Sequence, residues 1–149
     1  MGYILRENDG CQVYKTSLTD VELLTLGSVP VTLNPPLKAN YIFLPIGVYL
    51  SYLIVVPFDY SSQDHLIIKN SGMPRNYVEF LTYLNQAGDT EIYAQGNGFT
   101  GGASQYTRTP IGNFSGYSQF TLTNGTGNDA TVGSVEYFNV YIFGKFVKI

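Results

Sequence analysis

The stretch YIFLPIGVYLSYLIVV, residues Tyr41–Val56, contains no charged residue and alternates along its length. Its odd positions are mixed, whereas its even positions form an apolar row of Ile42, Leu44, Ile46, Val48, Leu50, Tyr52, Ile54 and Val56. A period of two, rich in β-branched and aromatic residues, predicts one long strand, or two strands joined by a bend at 45–47. We expect this strand to be the central strand of the core, with its even row facing inwards.

A second long strand is predicted near the end of the chain, over 134–147, where both faces are again apolar. Shorter alternating segments, bounded by glycine, proline and asparagine, predict strands at 28–33, 65–69, 90–94 and 120–123. We expect the strand at 65–69 to form an antiparallel hairpin with Tyr41–Val56. The pattern indicates a mainly β fold, namely an antiparallel, jelly-roll-like β-sandwich with one or two short helices, built as a single domain over 1–149.

Two segments have helical features. SLTDVELLTL at 17–26 offers a capping box from Ser17 with Asp20, or from Thr19 with Glu22, and Gly27 would end the helix. In 73–86, Tyr77, Phe80, Leu81 and Leu84 recur at helical spacing, so a second helix is predicted there.

The remaining segments are less regular. Residues 1–16 fit either a hairpin that turns at 8–10 or an extended N-terminal arm. The loop 95–119 holds six glycines at positions 96, 98, 101, 102, 112 and 116, and a loop of that length predicts one irregular strand around 104–109.

Composition restricts the class of function. The chain has 149 residues and a formal net charge of −3, and its Lys and Arg are scattered, which argues against nucleic-acid binding. Cys11 is the single cysteine, so an intramolecular disulfide and a Cys-rich zinc site are excluded. Neither a signal pattern nor a membrane-spanning helix is predicted, since Tyr41–Val56 is short for a span and contains Pro45.

Candidate chemistry is sparse, and each case has a simpler interpretation. His65, the only histidine, lies near Asp59 and Asp64, where turn capping is favoured over catalysis or metal binding. Asp89 and Glu91 predict a solvated strand edge rather than a glycosidase pair. Asn128 and Asp129 suit an Asx turn better than a calcium site. The segment GNGFTG at 96–101 matches the glycine pattern of dinucleotide-binding turns, but the sequence after it does not predict the helix that such a turn needs. The glycosylation sequons at Asn113 and Asn124 lack a secretory context. We predict no enzyme activity and no catalytic, cofactor-binding or metal-binding residues.

Thirteen tyrosines with no tryptophan leave two open uses for exposed aromatic rings. One is packing against other subunits, for which the low charge content is favourable because it weakens repulsion between copies. The other is carbohydrate recognition by a β-sandwich module, with Tyr106 and Tyr117 of the Gly-rich loop stacking on sugar rings. In that alternative the partner is a host-surface glycan.

Three segments together resemble small virion proteins of tailed bacteriophages, of the capsid-auxiliary, head-fibre or tail-fibre-anchor kind. They are SLTDVELLTLGSVPVTLNPP (17–36), KANYIFLPIGVYLSY (38–52) and FTLTNGTGNDATVGSVEYFNVYIFGKF (120–146). The chain departs from that family at Leu33–Lys38, where a Gly- and Ala-rich turn is typical. The resemblance implies a structural protein of the virion, made in the host cytoplasm, which forms a homo-oligomer, taken to be a trimer, and docks onto capsid or fibre proteins.

Under this interpretation the exposed aromatic strand faces form the interface. The predicted interface residues are Tyr41, Phe43, Tyr49, Tyr137, Tyr141 and Phe143. Buried aromatic anchors dominate the energy of many interfaces, so Tyr137, Tyr141 and Phe143 are expected to contribute most. No membrane or nucleic-acid partner is predicted.

Overall fold

A computed structural model of the chain describes residues 2–8, 11–33, 40–60, 65–70, 76–80, 84–95, 99–100 and 120–148. These residues form a mainly β fold with one short helix. In chain order the elements are β1 (Gly2–Asn8), β2 (Cys11–Ser17), α1 (Asp20–Leu24), β3 (Val31–Thr32), β4 (Tyr41–Val56), β5 (Leu66–Asn70), β6 (Asn76–Phe80), β7 (Gly88–Gln95), β8 (Phe99–Thr100), β9 (Phe120–Asn124) and β10 (Ser134–Lys148).

The strands lie in two sheets. The first sheet has the order β1-β2-β10-β4-β7, and all of its neighbours are antiparallel. The second sheet has the order β3-β9-β5-β6-β8, antiparallel except for the β6–β8 pair. The predicted mainly β class, with antiparallel sheets in a sandwich, is confirmed.

The two long strands predicted at 41–56 and 134–147 are both present and pair with each other along almost their whole length. Their order in the sheet differs from the expectation, because β10 rather than β4 occupies the middle of the first sheet. The fold is therefore organised around the β4–β10 pair.

One core fills the space between the sheets. From the first sheet it receives the even residues of both long strands, among them Leu50, Tyr52, Phe138 and Val140, each at most 1% exposed. The second sheet contributes Leu66, Ile68, Phe120 and Leu122, which are equally buried. The ring of Tyr52 stacks on that of Phe138, with centroids 4.9 Å apart and planes 8° apart. The predicted inner row is thus confirmed from Val48 to Ile54, whereas its last member, Val56, is 41% exposed.

The first half of β4 has the opposite phase. Phe143 pairs with Gly47 and Gly144 pairs with Pro45, so Ile46 is an extra residue in the ladder, a β-bulge. Because a one-residue shift reverses the two faces of a strand, the odd residue Phe43 turns inwards and is 3% exposed. The predicted unbroken inner row is therefore wrong before the bulge, which lies at the bend foreseen for 45–47.

The helix α1 begins as its sequence predicts. The Thr19 side chain accepts from the Glu22 backbone N–H at 3.3 Å, and a Glu22 carboxylate oxygen accepts from the Thr19 backbone N–H at 2.8 Å. This is the capping box of the second pairing considered, while Ser17 belongs to β2. The helix buries Leu23 and ends at Leu24, shorter than the 17–26 prediction.

Two predictions for the second sheet are wrong. Residues 76–80, within the predicted helix 73–86, form strand β6 beside β5, and the aromatic and β-branched residues Tyr77, Val78 and Phe80 have high β propensity. Strand β5 pairs with β6 and β9 rather than with β4, because the chain after Val56 crosses between the sheets through the buried Phe58 and Tyr60.

Of the two predicted alternatives for the N-terminal residues, the structure contains the hairpin. Asn8 pairs with Cys11 and Gly2 with Thr16, and β2 then pairs with β10. The strand predicted around 104–109 lies outside the described residues. Within the part of the chain that the structure covers, no helix is long and apolar enough to cross a membrane.

Candidate functional site

The outer face of the first sheet carries a row of large side chains that runs across four strands. The strand registers pair Lys15 with Tyr141, Tyr141 with Tyr49, and Tyr49 with Tyr93. Directly paired residues of an antiparallel sheet point to the same face, so these four side chains stand side by side. We call Tyr49, Tyr93, Tyr137, Tyr141 and Phe143 the outer aromatic face.

These rings contact one another but remain open to solvent. Tyr93 is 54% exposed and Tyr137 is 39% exposed, while Tyr49, Tyr141 and Phe143 are half-buried. The ring centroids of Tyr49 and Tyr141 lie 5.6 Å apart at 53°, and those of Tyr93 and Phe143 lie 6.4 Å apart at 73°. The rings are therefore tilted and interlocked, and they do not form a flat platform.

A polar row lies next to the aromatic one. Ser17 pairs with Asn139, Asn139 with Ser51, and Ser51 with Glu91. The Ser17 hydroxyl donates to the Asn139 side-chain oxygen at 2.8 Å. Desolvation, together with a hydrogen bond to the Glu91 carboxylate and that group's negative charge, raises the pKa of Tyr49. The outer face thus offers hydroxyl, amide and carboxylate groups beside its rings.

The charges of this face are segregated by strand. Lys15 on β2 lies with its amine 5.7 Å from the centroid of the Tyr141 ring, a cation–π distance. Lys145 on β10 is exposed one pleat beyond Phe143. On the opposite side, Asp89 and Glu91 of β7 are both exposed. The face is positive towards β2 and negative towards β7.

The structure brings together four of the six predicted interface residues, namely Tyr49, Tyr137, Tyr141 and Phe143. The other two, Tyr41 and Phe43, lie on the inward side of β4, where both rings contact Phe146 edge-on, at 6.5 and 5.3 Å. Phe43 is buried in the core and offers no surface to a partner, because the bulge at Ile46 reverses its phase. Tyr41 is 36% exposed, at the end of this cluster.

Tyr93 is the residue that sequence reasoning missed. The segment 90–94 was correctly predicted as a strand, and its alternation places Glu91 and Tyr93 on one face. The sequence alone therefore places Tyr93 on the same face of its strand as Glu91. The pairing of Tyr93 with Tyr49, which makes it part of the row, depends on the register between β7 and β4.

Two of the acidic residues weighed for catalysis or metal binding, Asp59 and Asp129, serve as loop anchors. The Asp59 carboxylate accepts from the backbone N–H groups of Thr131 and Val132 at 2.7 and 3.1 Å, and from the Thr131 hydroxyl. These hydrogen bonds, with the Thr131 hydroxyl first, lower the pKa of Asp59 to about 2. Asp59 therefore fixes a loop to the end of the core, as turn capping predicted.

The Asn-rich turn after β9 is built in the same way. Asp129 accepts from the backbone N–H and the hydroxyl of Ser28 at 2.8 and 2.6 Å, which lowers its pKa. Asn124 is 3% exposed, accepts from the Gly127 N–H at 2.8 Å and donates to the Asn128 carbonyl at 2.6 Å. Its amide is engaged and buried, which does not suit a glycosylation site.

His65 stands beside this turn. Its backbone carbonyl accepts from the Gly125 N–H at 2.8 Å, and a Cβ at Gly125 would meet the His65 ring at 2.6 Å. Among the described residues no group of three or more His, Cys, Asp or Glu side chains could hold a metal ion.

A groove of about 320 Å³ lies between α1, β2 and β3, lined by Thr16, Glu22, Thr25, Val29, Pro30, Val31 and Thr32. Its acidic group, Glu22, is already engaged in the capping box with Thr19.

The residues proposed for sugar stacking, Tyr106 and Tyr117, lie outside the described residues, as do Asp64 and Asn113. Within GNGFTG, Phe99–Thr100 forms strand β8, which does not suit a dinucleotide-binding turn that opens a helix.

No protein-family model, curated protein or solved structure matches this chain.

Proposed function

We propose that this protein is a structural component of a tailed-phage virion, which acts by self-association and by docking to capsid or tail proteins. The observation that carries the proposal is the outer aromatic face, with Tyr93 54% exposed and Tyr137 39% exposed beside Tyr49, Tyr141 and Phe143. The core lies on the other side of the same strands, and these rings are not part of it.

The composition of this face supports a protein partner. Contiguous exposed apolar surface on a folded chain usually marks an interaction site, and interface centres are enriched in tyrosine and phenylalanine. Tyrosine combines a large contact area with little side-chain entropy to lose. Exposed Val55 and half-buried Leu53 extend the apolar area along β4 beyond the rings.

The order of the strands supports the jelly-roll-like topology that the sequence predicts. Without the edge strands β1 and β8, the sheets read 2-10-4-7 and 3-9-5-6. With β8 left aside, the chain passes between the sheets after β2, β3, β4, β6, β7 and β9, as it does when two Greek keys fold over a sandwich. Double-sheet jelly rolls serve as viral capsid domains and as lectin domains.

The proposal includes no enzyme activity, cofactor or metal. Asp59 and Asp129, the two described acidic residues outside the outer face that were weighed for such a role, hold loops. The net charge of −3 supports protein rather than nucleic-acid partners. The protein would be made in the host cytoplasm and reside in the virion.

A glycan-binding module is the second candidate, and the polar row beside the rings favours it. Ser51, Asn139 and Glu91 could hydrogen-bond sugar hydroxyls while Tyr93 stacks on a ring. The tilt of 53° and 73° between neighbouring rings is less suited to flat sugar faces than to interlocking with another protein surface. We therefore favour assembly.

The test combines the isolated protein with the particle. Light scattering on the purified protein is expected to give a mass above that of the 16.5 kDa chain. Mass spectrometry of purified particles of the encoding phage is expected to find the protein in stoichiometric amounts. Absence from the particle would overturn the virion assignment, and a stable monomer that binds immobilised glycans through Tyr93 would favour the second candidate.

A further inference from the structure

The segregated charges on the outer face indicate which partner fits it. Lys15 lies on β2, Lys145 lies further along β10, and Asp89 and Glu91 lie on β7. We propose that a second copy of this chain docks face to face on the outer aromatic face, about a two-fold axis parallel to the strands. The inference rests on the proposed self-association and names its geometry, a two-fold pair in place of the trimer that the resemblance implies.

The strand register determines what such an axis brings together. The row Lys15, Tyr141, Tyr49, Tyr93 has its midpoint between β10 and β4. A two-fold axis through that midpoint places Tyr141 opposite Tyr49 of the other copy, and Lys15 opposite Tyr93. Glu91, one pleat from Tyr93 on the same face, then lies about 7 Å along the strand from the opposing Lys15, within reach of a lysine side chain.

Electrostatics selects this arrangement over its alternative. An axis across the strands would lay β2 of one copy over β2 of the other, and β7 over β7, so the positive edges would meet each other and the negative edges would meet each other, which is unfavourable. With the axis along the strands, β2 of each copy lies over β7 of the other, so each Lys15 lies near the Glu91 of the opposing copy. Sheets also stack about 10 Å apart with their strands nearly aligned, a separation that interlocking tyrosine rings can fill.

Lys15 and Glu91 have little direct coupling within one chain. They lie on β2 and β7, with β10 and β4 between them, which is about 14 Å at the usual strand spacing. Exposed charges at that separation are beyond the screening length of about 8 Å at physiological salt. A rescue of one charge reversal by another therefore reports contact between copies.

The experiment uses the charge reversals K15E and E91K in the full chain, alone and mixed. Each variant alone is expected to self-associate about tenfold more weakly than the wild type, because two pairs per interface become repulsive. An equimolar mixture restores both pairs and is expected to recover wild-type affinity. Sedimentation equilibrium measures all three. K69E, the same charge change at an exposed position of the second sheet, is the control and should leave association unchanged.

The outcomes distinguish a failure of the two-fold pairing from a failure of self-association as a whole. A mixture that associates no better than the single variants, or a wild-type protein that forms only trimers, would overturn the two-fold pairing while self-association stands. A wild-type protein that stays monomeric would overturn the proposed function as well. If E91K does not fold, E91Q, which keeps an acceptor for the Tyr49 hydroxyl, replaces it and is expected to weaken association about threefold.

Discussion

The β4–β10 pair presents two aromatic faces of very different character. On its inner side Tyr52 and Phe138 stack in parallel, 8° apart, and each is 1% exposed. On its outer side Tyr49 and Tyr141 meet at 53° and remain half-buried. The inner pair is completed by the second sheet of the same chain. The outer pair has no layer above it among the described residues, so the same strands carry the fold on one side and, in our proposal, assembly on the other.

The largest expected effect comes from breaking the inner side. Phe138→Ala removes a fully buried ring that stacks on Tyr52, and we expect a loss of about 3–5 kcal/mol in the free energy of unfolding. Tyr141→Ala, a comparable truncation on the outer side of the same strand, should cost much less. Urea denaturation of both variants measures the difference. Equal losses would contradict the division between the faces.

A smaller loss is expected at the loop that closes one end of the core. Gly133 has φ of 151°, and a Cβ there would meet the Phe58 ring at 2.2 Å. Gly133→Ala is therefore expected to cost about 1–3 kcal/mol through backbone strain and displacement of Phe58. Gly127→Ala is a useful comparison, since Gly127 has φ of 75° but open space around its Cβ position. Gly133→Ala should be the more damaging variant in thermal unfolding.

Acid is expected to weaken the attachment of the loop at 131–133 to Asp59. The pKa of Asp59 is lowered from 3.8 to about 2 by its hydrogen bonds to Thr131 and Val132. A lowered carboxyl pKa stabilises the fold above the unfolded-state value, and the contribution is lost as pH falls through the folded-state value. The stability gap between wild type and Asp59→Asn should therefore be constant above about pH 5 and shrink between pH 4 and 2. A gap that stays constant down to pH 2 would show that Asp59 does not anchor the loop as a carboxylate.

Much of this arrangement was readable from local pattern. Alternation gave β4 and β10, the threonine and glutamate spacing gave the start of α1, and Asn-Gly clusters gave the turn after β9. These features depend on residues close together in the chain. In β10 both faces are apolar, so its pattern did not assign the inner face, which the structure forms from Phe138, Val140 and Ile142.

The predictions that were wrong or incomplete depend on pairing between segments that are distant in the chain. Residues 76–80 fit a helix by spacing and a strand by composition, and only the neighbouring β5 decides between them. One extra residue at Ile46 turned Phe43 from the predicted interface into the core. Tyr93 joined the outer aromatic face through the register of β7 on β4, which no local signal specifies.

The smallest effect on stability should accompany the largest effect on assembly. Tyr93→Ala removes a ring that is 54% exposed, so we expect the free energy of unfolding to change by no more than about 0.5 kcal/mol. Self-association should nevertheless weaken by at least about tenfold, because Tyr93 is the most exposed ring of the outer aromatic face and aromatic side chains carry much of the energy of an interface. Val21→Ala, at a 68% exposed apolar position on α1, is the matched control and should change neither quantity.

The most direct measurement of the central claim is therefore sedimentation equilibrium of wild type, Tyr93→Ala and Val21→Ala at matched concentrations. Our account predicts that wild type and Val21→Ala associate alike and that Tyr93→Ala shifts towards the 16.5 kDa monomer. Association of Tyr93→Ala equal to that of the wild type would contradict the assignment of the outer aromatic face as the assembly surface.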